Sequence, residues 1–316
     1  MNVHRNIEAL PRFRNAVITV GTFDGVHRGH QKLISRILQL AAETGGESVL
    51  ITFDPHPRTI VAHDGNPVRL LTTLDEKIRL LDELGVEHLV VVPFTKEFSM
   101  LSARDYIEKF LVEKFAPSVI AIGYNHRFGH HRDGNIELLR SGAARFGFLV
   151  EEIPKQMVDE IEVSSTRIRL ALEEGDVKTA AHLLSHPYAI TGRVVKGNQL
   201  GRKFGYPTAN LDVADPSKQI PADGVYAVRA LVPAGGGSEW KNGAMSIGFR
   251  PTVNGTHHTI EVYVFDYSGD LYGQEIIVQF IEYIREERTF ETVDLMIEEI
   301  RRDEQKARQI LASHSS

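Results

Sequence analysis

The residues predict an open α/β unit built on a parallel sheet, followed by a compact all-β unit that ends in a helix. Three observations carry that reading. Short β-branched runs alternate with amphipathic segments through the first half of the chain. After Pro187 the chain becomes β-rich, with frequent glycine and proline. Apolar residues then recur at helical spacing through Val293, Met296, Ile297, Ile300 and Ala307. The length of 316 residues agrees, since domains average roughly 150 residues and two are expected.

The elements follow in order. Residues 16–21 (AVITVG) are short, β-branched and closed by glycine, which reads as a buried strand. His30, Leu33, Ile34, Ile37, Leu38 and Ala41 mark a helix that Gly45 and Gly46 stop. Residues 48–53 form the next strand. Thr73 and Glu76 make a capping-box pattern before Ile78, Leu81 and Leu84, and Gly85 ends that helix. Strands at 88–93, 118–123 and 148–153 alternate with helices at 102–115 and around 135–147, so the sheet should be parallel and covered on both faces. Residues 164–174 and 178–184 look helical. Strands are then expected at 188–195, 224–231, 245–249, 259–265 and 276–283, with a long hairpin connection at 233–238 (PAGGGS). A barrel or a sandwich fits this spacing. The change of rhythm places the domain boundary between 184 and 185, giving domains 1–184 and 185–316.

Composition narrows the function classes. Hydrophobic residues are 42% and charged residues 25%, an ordinary globular balance. The net charge of −6 argues against a nucleic-acid coat or a binder of anionic membranes. With no cysteine there are no disulfides, thiolate–zinc sites or cysteine nucleophiles, and a reducing cytoplasm is expected. The N-terminal residues lack the apolar run of a secretory leader. Clean apolar stretches such as 89–94 fall far short of the ~18–20 residues a membrane span needs. The expected partners are therefore small molecules, with no nucleic acid and no membrane. Monomer and homo-oligomer both stay open.

The densest chemical signal lies where the first strand meets the first helix: Gly21, Thr22, Phe23, Asp24, Gly25, Val26, His27, Arg28, Gly29, His30. Such a junction aims backbone N–H groups and the positive end of a helix dipole at a ligand above the sheet. The glycines allow close approach. His27 and His30, three apart, share one face of the first turn. Imidazole donors there can stabilise charge on a phosphate bridging oxygen.

This His-x-Gly-His resembles the signature of the nucleotidylyltransferase superfamily. That resemblance implies a Rossmann-like fold and transfer of a nucleotidyl group without a covalent intermediate. Ser164, Ser165, Thr166 and Arg167 resemble its second phosphate loop. Two further segments, TFDPHP at 52–57 and GYNHRFG at 123–129, sit at strand ends. With residues 21–31 they resemble the N-terminal module of bacterial bifunctional riboflavin kinase/FMN adenylyltransferase, also called FAD synthetase. The resemblance implies ATP contacts from Gly21, Thr22, Phe23, Asp24, Asn125, Ser164, Ser165 and Thr166, and catalytic roles for His27, His30 and Arg167. It makes Tyr106 and Phe128 candidates for packing on the flavin ring. Members more often carry Asp-Phe where this chain has Asn125 and His126; an uncharged Asn can still hydrogen-bond a base or flavin edge.

The β-rich half carries GRVVKGNQLGRKFGYPTANL at 192–211. Gly197, Gly201 and Gly205 permit a mobile backbone, while Arg193, Lys196, Arg202 and Lys203 concentrate positive charge suited to a polyphosphate. No P-loop pattern is present. Thr208 and Asn210 offer neutral oxygen ligands of the hard type that Mg²⁺ accepts, with ATP phosphates completing the shell. This stretch resembles the riboflavin kinase module, which implies a six-stranded Greek-key barrel with a C-terminal helix. It also implies ATP binding by Gly197, Arg202, Lys203, Thr208 and Asn210, and Mg²⁺ or another divalent ion at Thr208 and Asn210. Glu261 becomes the base for the ribityl 5′-hydroxyl, and Arg285 a phosphate or flavin contact. On an alternating strand Glu261 faces away from Ile260 and Val262. The whole chain is then expected to turn riboflavin into FMN, and FMN into FAD, at the expense of ATP. The residues oppose two rival readings. A single-function adenylyltransferase with a sensing barrel is opposed by the joint presence of Thr208, Asn210 and Glu261. An RNA-directed synthetase relative is opposed by the acidic charge and the lack of a KMSKS loop.

Overall fold

The computed structural model describes residues 1–61, 68–154, 157–158, 161–197, 201, 204–252 and 255–314. The chain divides into two compact units, Met1–Ser165 and Thr166–Ser316.

The first unit holds strands β1 (Asn2–His4), β2 (Val17–Val20), β3 (Ser48–Asp54), β4 (His88–Pro93), β5 (Val119–Gly123) and β6 (Leu149–Ile153). They form one sheet in the order β1-β4-β3-β2-β5-β6, and every neighbouring pair is parallel. Successive side chains point to opposite faces, so an unbroken apolar strand must be covered on both sides. That is what happens. Ile18, Val20, Val49, Ile51, Val90 and Val92 pack with Phe110 and Phe115 on one face. Val17, Leu50, Leu89 and Val91 pack with Ile34, Ile37 and Leu81 on the other.

Helices α1 (Arg28–Thr44), α2 (Pro57–Val61), α3 (Leu74–Glu83), α4 (Lys96–Ser99), α5 (Ala103–Asp105), α6 (Glu113–Phe115) and α7 (Ile136–Phe146) connect the strands. The stop signals read from sequence are in place, with Gly45 and Gly147 in the left-handed region beyond α1 and α7. The capping box of α3 is complete: Thr73 accepts from Glu76 N, and Glu76 accepts from Thr73 N. Between α5 and α6 the helix widens into a π-turn at Tyr106–Val112, which buries Tyr106, Ile107, Phe110 and Leu111. A short ribbon of β7 (Met157–Val158) and β8 (Ile161–Glu162) follows.

Helix α8 (Ser165–Glu173) starts with the last residue of the first unit. The second unit continues with α9 (Val177–Leu184), β9 (Ala189–Val195), β10 (Ala209–Asp212), β11 (Gly224–Ala234), β12 (Gly237–Thr252), β13 (Gly255–Val264), β14 (Glu275–Arg285) and α10 (Val293–Ser313). The strands close into an antiparallel barrel, β10-β13-β12-β11-β14-β9, which decides between barrel and sandwich. Tyr226, Val228, Met245, Ile247, Val262, Val278 and Phe280 fill its interior with no exposed surface. Ala307 and Leu311 of α10 pack outside it against Val225, Ala227, Phe265 and Ile281.

Two features differ from the residue pattern. The helices at 165–173 and 177–184 belong to the barrel's compact unit, earlier than the 184/185 boundary. Ala222 N donates to Leu172 O at 2.9 Å, and Lys178 pairs with Glu282 at 3.2 Å. The stretch at 233–238 is not a long connection. The strands run through it to a two-residue turn, Gly235 and Gly236, both at positive φ (54° and 92°), the backbone that matches strand twist in a tight hairpin.

Candidate active sites

At the first site the chain leaves β2 through a turn with three residues in the left-handed region: Phe23 (φ 47°), Gly25 (φ 80°) and Val26 (φ 43°). For a β-branched residue such as Val26 this conformation is strained, so the surroundings must impose it. Asp24 does much of that. Its Oδ1 accepts from Leu71 N (2.8 Å) and Thr72 N (3.1 Å), and the side chain is only 2% exposed. Gly25 N donates to Thr72 Oγ1 at 3.1 Å, and Gln31 Nε2 donates to Val26 O at 2.9 Å. Asp24 thus serves the turn with its carboxylate.

His27 caps α1. Its Nδ1 accepts from His30 N at 3.3 Å, so in the neutral ring the proton sits on Nε2. The two imidazoles stack with centroids 3.6 Å apart and planes 15° apart, as the spacing predicts. Phe23 meets His30 edge-on at 5.2 Å. Burial, then His27, then Lys77 hold the His30 pKa well below the ordinary 6.5, and its Nδ1 is buried without a hydrogen-bond partner. His30 is therefore held neutral, stacked on His27 beside a helix N-terminus.

The other residues expected at this site fall into three groups. Thr22 contributes its carbonyl, which accepts from Thr52 Oγ1 at 3.2 Å. Ser164 precedes α8. The Ser165 hydroxyl donates to Asp24 O at 3.0 Å, which straps the turn instead of leaving that proton free for a ligand. Thr166 and Arg167 are exposed in the first turn of α8, and Asn125 is exposed just past β5. Its neighbour His126 is pushed down to about 4 by burial, with Arg132 adding to the effect. Tyr106 and Phe128 stack on each other at 5.0 Å and lie in the core at 4% and 5% exposure. Burial raises the Tyr106 phenol pKa. Sequence reading missed a half-buried trio at the carboxyl ends of β3 and β4. Phe53, Phe94 and Phe98 lie 5.3–5.6 Å apart, edge-on or tilted to one another. Their signal was present in the strand-end segments TFDPHP and PFTKEF.

The second site lies on the outside of the barrel. Asn210 of β10 pairs with Glu261 of β13, which pairs with Ser246 of β12, so three polar side chains form a row on one face. Ile260 and Val262 take the opposite face, as alternation predicts. Glu261 is nevertheless only 8% exposed. Thr208 Oγ1 donates to Glu261 Oε2 at 2.8 Å and so orients the carboxylate. Gly197 leaves room for Asn210: a Cβ there would stand 2.3 Å from its Nδ2. Arg202 and Lys203 lie outside the described residues. Arg285 stands in the neighbouring strand system with its guanidinium committed. It donates to Asp303 Oδ1 (2.9 Å) and Oδ2 (2.7 Å) and to Glu286 O (2.7 Å). Burial disfavours its charge, but the hydrogen bonds to Asp303 outweigh that and raise its pKa.

Among the described residues no group of three or more His, Cys, Asp or Glu side chains could hold a metal ion, and no helix is long and apolar enough to cross a membrane. The neutral oxygens of Thr208 and Asn210 beside one carboxylate still fit a cation that arrives with phosphates.

Known families match the two halves of the chain separately. Residues 10–167 match the FAD synthetase family and residues 184–311 the riboflavin kinase family. A nucleotide-type parallel sheet and a closed barrel in one chain thus define a flavin- and ATP-handling transferase of two modules. A bifunctional riboflavin kinase/FMN adenylyltransferase of Escherichia coli K12 is 37% identical over 305 residues, covering 96% of this chain and 95% of that protein. Its counterpart in Listeria monocytogenes is 35% identical over 300 residues, covering 94% and 93%. This chain belongs to the bifunctional riboflavin kinase/FMN adenylyltransferase family. A solved Streptococcus pneumoniae structure described as a macrolide-efflux protein superposes with a TM-score of 0.87 at 30% identity, covering 97% of this chain and 98% of that one.

Proposed function

We propose that the two sites divide the two reactions of the family between them. The chain phosphorylates riboflavin to FMN and adenylylates FMN to FAD with release of pyrophosphate. In our reading the histidine turn runs the second reaction. The FMN phosphate attacks the α-phosphorus of ATP, the bond to pyrophosphate breaks, and no side-chain nucleophile takes part. The N–H groups of His27 and His30 stabilise charge on the departing pyrophosphate, Thr166 and Arg167 bind phosphates, and Ser165, its hydroxyl spent on the turn, adds its backbone N–H at the start of α8. Catalysis here is positioning and charge stabilisation. Phe53, Phe94 and Phe98 offer an apolar, half-buried cluster against which the flavin can pack, beside Tyr106 and Phe128.

The barrel site runs the first reaction. Glu261 accepts the proton of the ribityl 5′-hydroxyl as that oxygen takes the γ-phosphoryl group and ADP leaves. Thr208 and Asn210 would hold Mg²⁺ or another divalent ion, which neutralises phosphate charge when bound. Arg202, Lys203 and Gly197 belong to the ATP loop, and Arg285 acts near the flavin through its Asp303 pair. Functionally we divide the chain at 184/185, place it in the cytoplasm and assign it small-molecule partners only.

The contrast in donor sets carries this reading: a stacked imidazole pair at one site, a carboxylate flanked by Thr208 and Asn210 at the other. Incubation with riboflavin and Mg-ATP, followed by chromatography of the flavins, tests it. The unmodified chain makes FAD through FMN. His30→Ala accumulates FMN, and Glu261→Gln makes FAD only from supplied FMN. Equal loss of both reactions in each variant would overturn the division.

A further inference from the structure

The first site contains a buried cation that the mechanism above does not use. Lys77 lies in the first turn of α3, next to Glu76 of the capping box, and is only 6% exposed. On an amphipathic helix a lysine ordinarily faces water. Here its Nζ donates to Thr52 Oγ1 at 3.3 Å. The Thr52 hydroxyl has one proton, and it goes to Thr22 O at 3.2 Å, so the relay from ammonium to turn has a fixed direction. Thr52 is fully buried. Lys77 therefore reaches the turn between β2 and α1 through a single intermediary.

We propose that Lys77 is a positioning residue for adenylyl transfer: it ties the histidine-bearing turn to α3 through Thr52 and sets a buried positive charge behind the histidine pair. The proposal rests on the assignment of His27 and His30 to that reaction. A buried ammonium with so few hydrogen bonds is costly unless its charge acts on its neighbours. Asp24 of the turn and Asp54 at the end of β3 favour the Lys77 charge against the burial that opposes it. Its field disfavours protonation of His30, together with burial and with His27 on α1. A protonated pair stacked at 3.6 Å would repel itself and break the stack. The other clamps of the turn, Asp24 on Leu71 and Thr72 and Thr72 on Gly25, are anionic or neutral and cannot supply this effect.

The test uses the full chain and the pH dependence of FAD formation from FMN and Mg-ATP, with FMN formation from riboflavin measured in the same preparations. Lys77→Met should lower kcat for FAD formation about 10–100-fold and move the acid limb of the profile upward by roughly half a pH unit, because His30 then protonates more easily. Lys77→Arg should restore most of both effects. Thr52→Val cuts the tether and leaves the charge, so it should lower kcat with the acid limb unmoved. FMN formation should stay within about twofold throughout, which reports on intact barrels. An acid limb that stays put in Lys77→Met, or a Lys77→Arg variant no better than Lys77→Met, overturns the proposal. His30→Ala separates the two levels. If it still makes FAD, the assignment of the histidines fails. If it makes none while Lys77→Met behaves like the unmodified chain, only the role of Lys77 fails.

Discussion

The two sites solve different problems with different atoms. The first is a backbone turn at the end of a buried strand, locked by internal polar bonds and furnished with nitrogen donors. The second is a row of oxygen-bearing side chains on the outer face of a barrel, with Glu261 at its centre shielded from water although it faces outward. On the division of roles proposed above, the nucleophile explains the difference. The phosphate of FMN is largely ionised near neutral pH, its second pKa being about 6, so the first site needs no base and invests in the leaving group. A ribityl hydroxyl holds its proton tightly, so the second site needs a carboxylate. Same co-substrate, different attacking oxygen: the residue types follow from what attacks, not from ATP.

The comparison can be broken most sharply at its two centres. Glu261→Gln should cut FMN formation on the order of 10²–10⁴-fold, and His30→Ala should cut FAD formation on the order of 10²–10³-fold, each leaving the other reaction within about twofold. Crossed losses, read from initial rates on separately supplied substrates, would show that the sites are not distinct in this way. Gly197→Ala comes next. Its Cβ would meet the Asn210 amide at 2.3 Å, so FMN formation should fall about tenfold while FAD formation from FMN holds. Asp24→Ala strips two backbone N–H groups of their acceptor. It should destabilise the first unit by roughly 1–3 kcal/mol and weaken FAD formation. The chain's one tryptophan, Trp240, lies in the barrel, so its fluorescence transition in urea should not move in that variant.

The smallest expected effect is on stability against pH. A histidine held neutral by burial binds its proton more readily in the unfolded chain. Stability then rises with pH between the folded and unfolded pKa values and is lost on acidification. For His126 the window runs from 6.5 down to about 4; for His30 the loss likewise begins below 6.5. Acid should therefore loosen the first unit, and His126→Gln should flatten that dependence in urea titrations followed by circular dichroism. An unchanged slope would remove His126 from the account.

Much of this was legible in the residues. Each of β2 to β6 announced itself as a β-branched run, and Thr73 with Glu76 marked the start of α3, one residue before the buried Lys77. What could not be read depends on partners far along the chain. The three residues of β1 carry only one aliphatic side chain, and nothing but pairing with β4 makes them a strand. Residues 209–212 look like ligands, not like a strand, until β9 and β13 flank them. Lys77 stands three residues after Leu74 and four before Leu81, on the inward face of its helix, yet its residue type announces a solvated side chain. What it meets there is a turn some fifty residues earlier. Ser165 likewise reads as an anion contact until the Asp24 carbonyl claims its proton.

Rungs of hydrogen bonds run all the way round the barrel, whereas among the described residues the sheet stops at β1 on one side and at β6 on the other. A terminated sheet presents unpaired amides along its rim, a template on which a second molecule can add. The three-residue β1 gives little purchase, but β6 has five residues and leaves Leu149 68% exposed. Clumping in concentrated solution should thus nucleate along that margin, and a lysine in place of Leu149 is the first change to make when preparing the protein for storage.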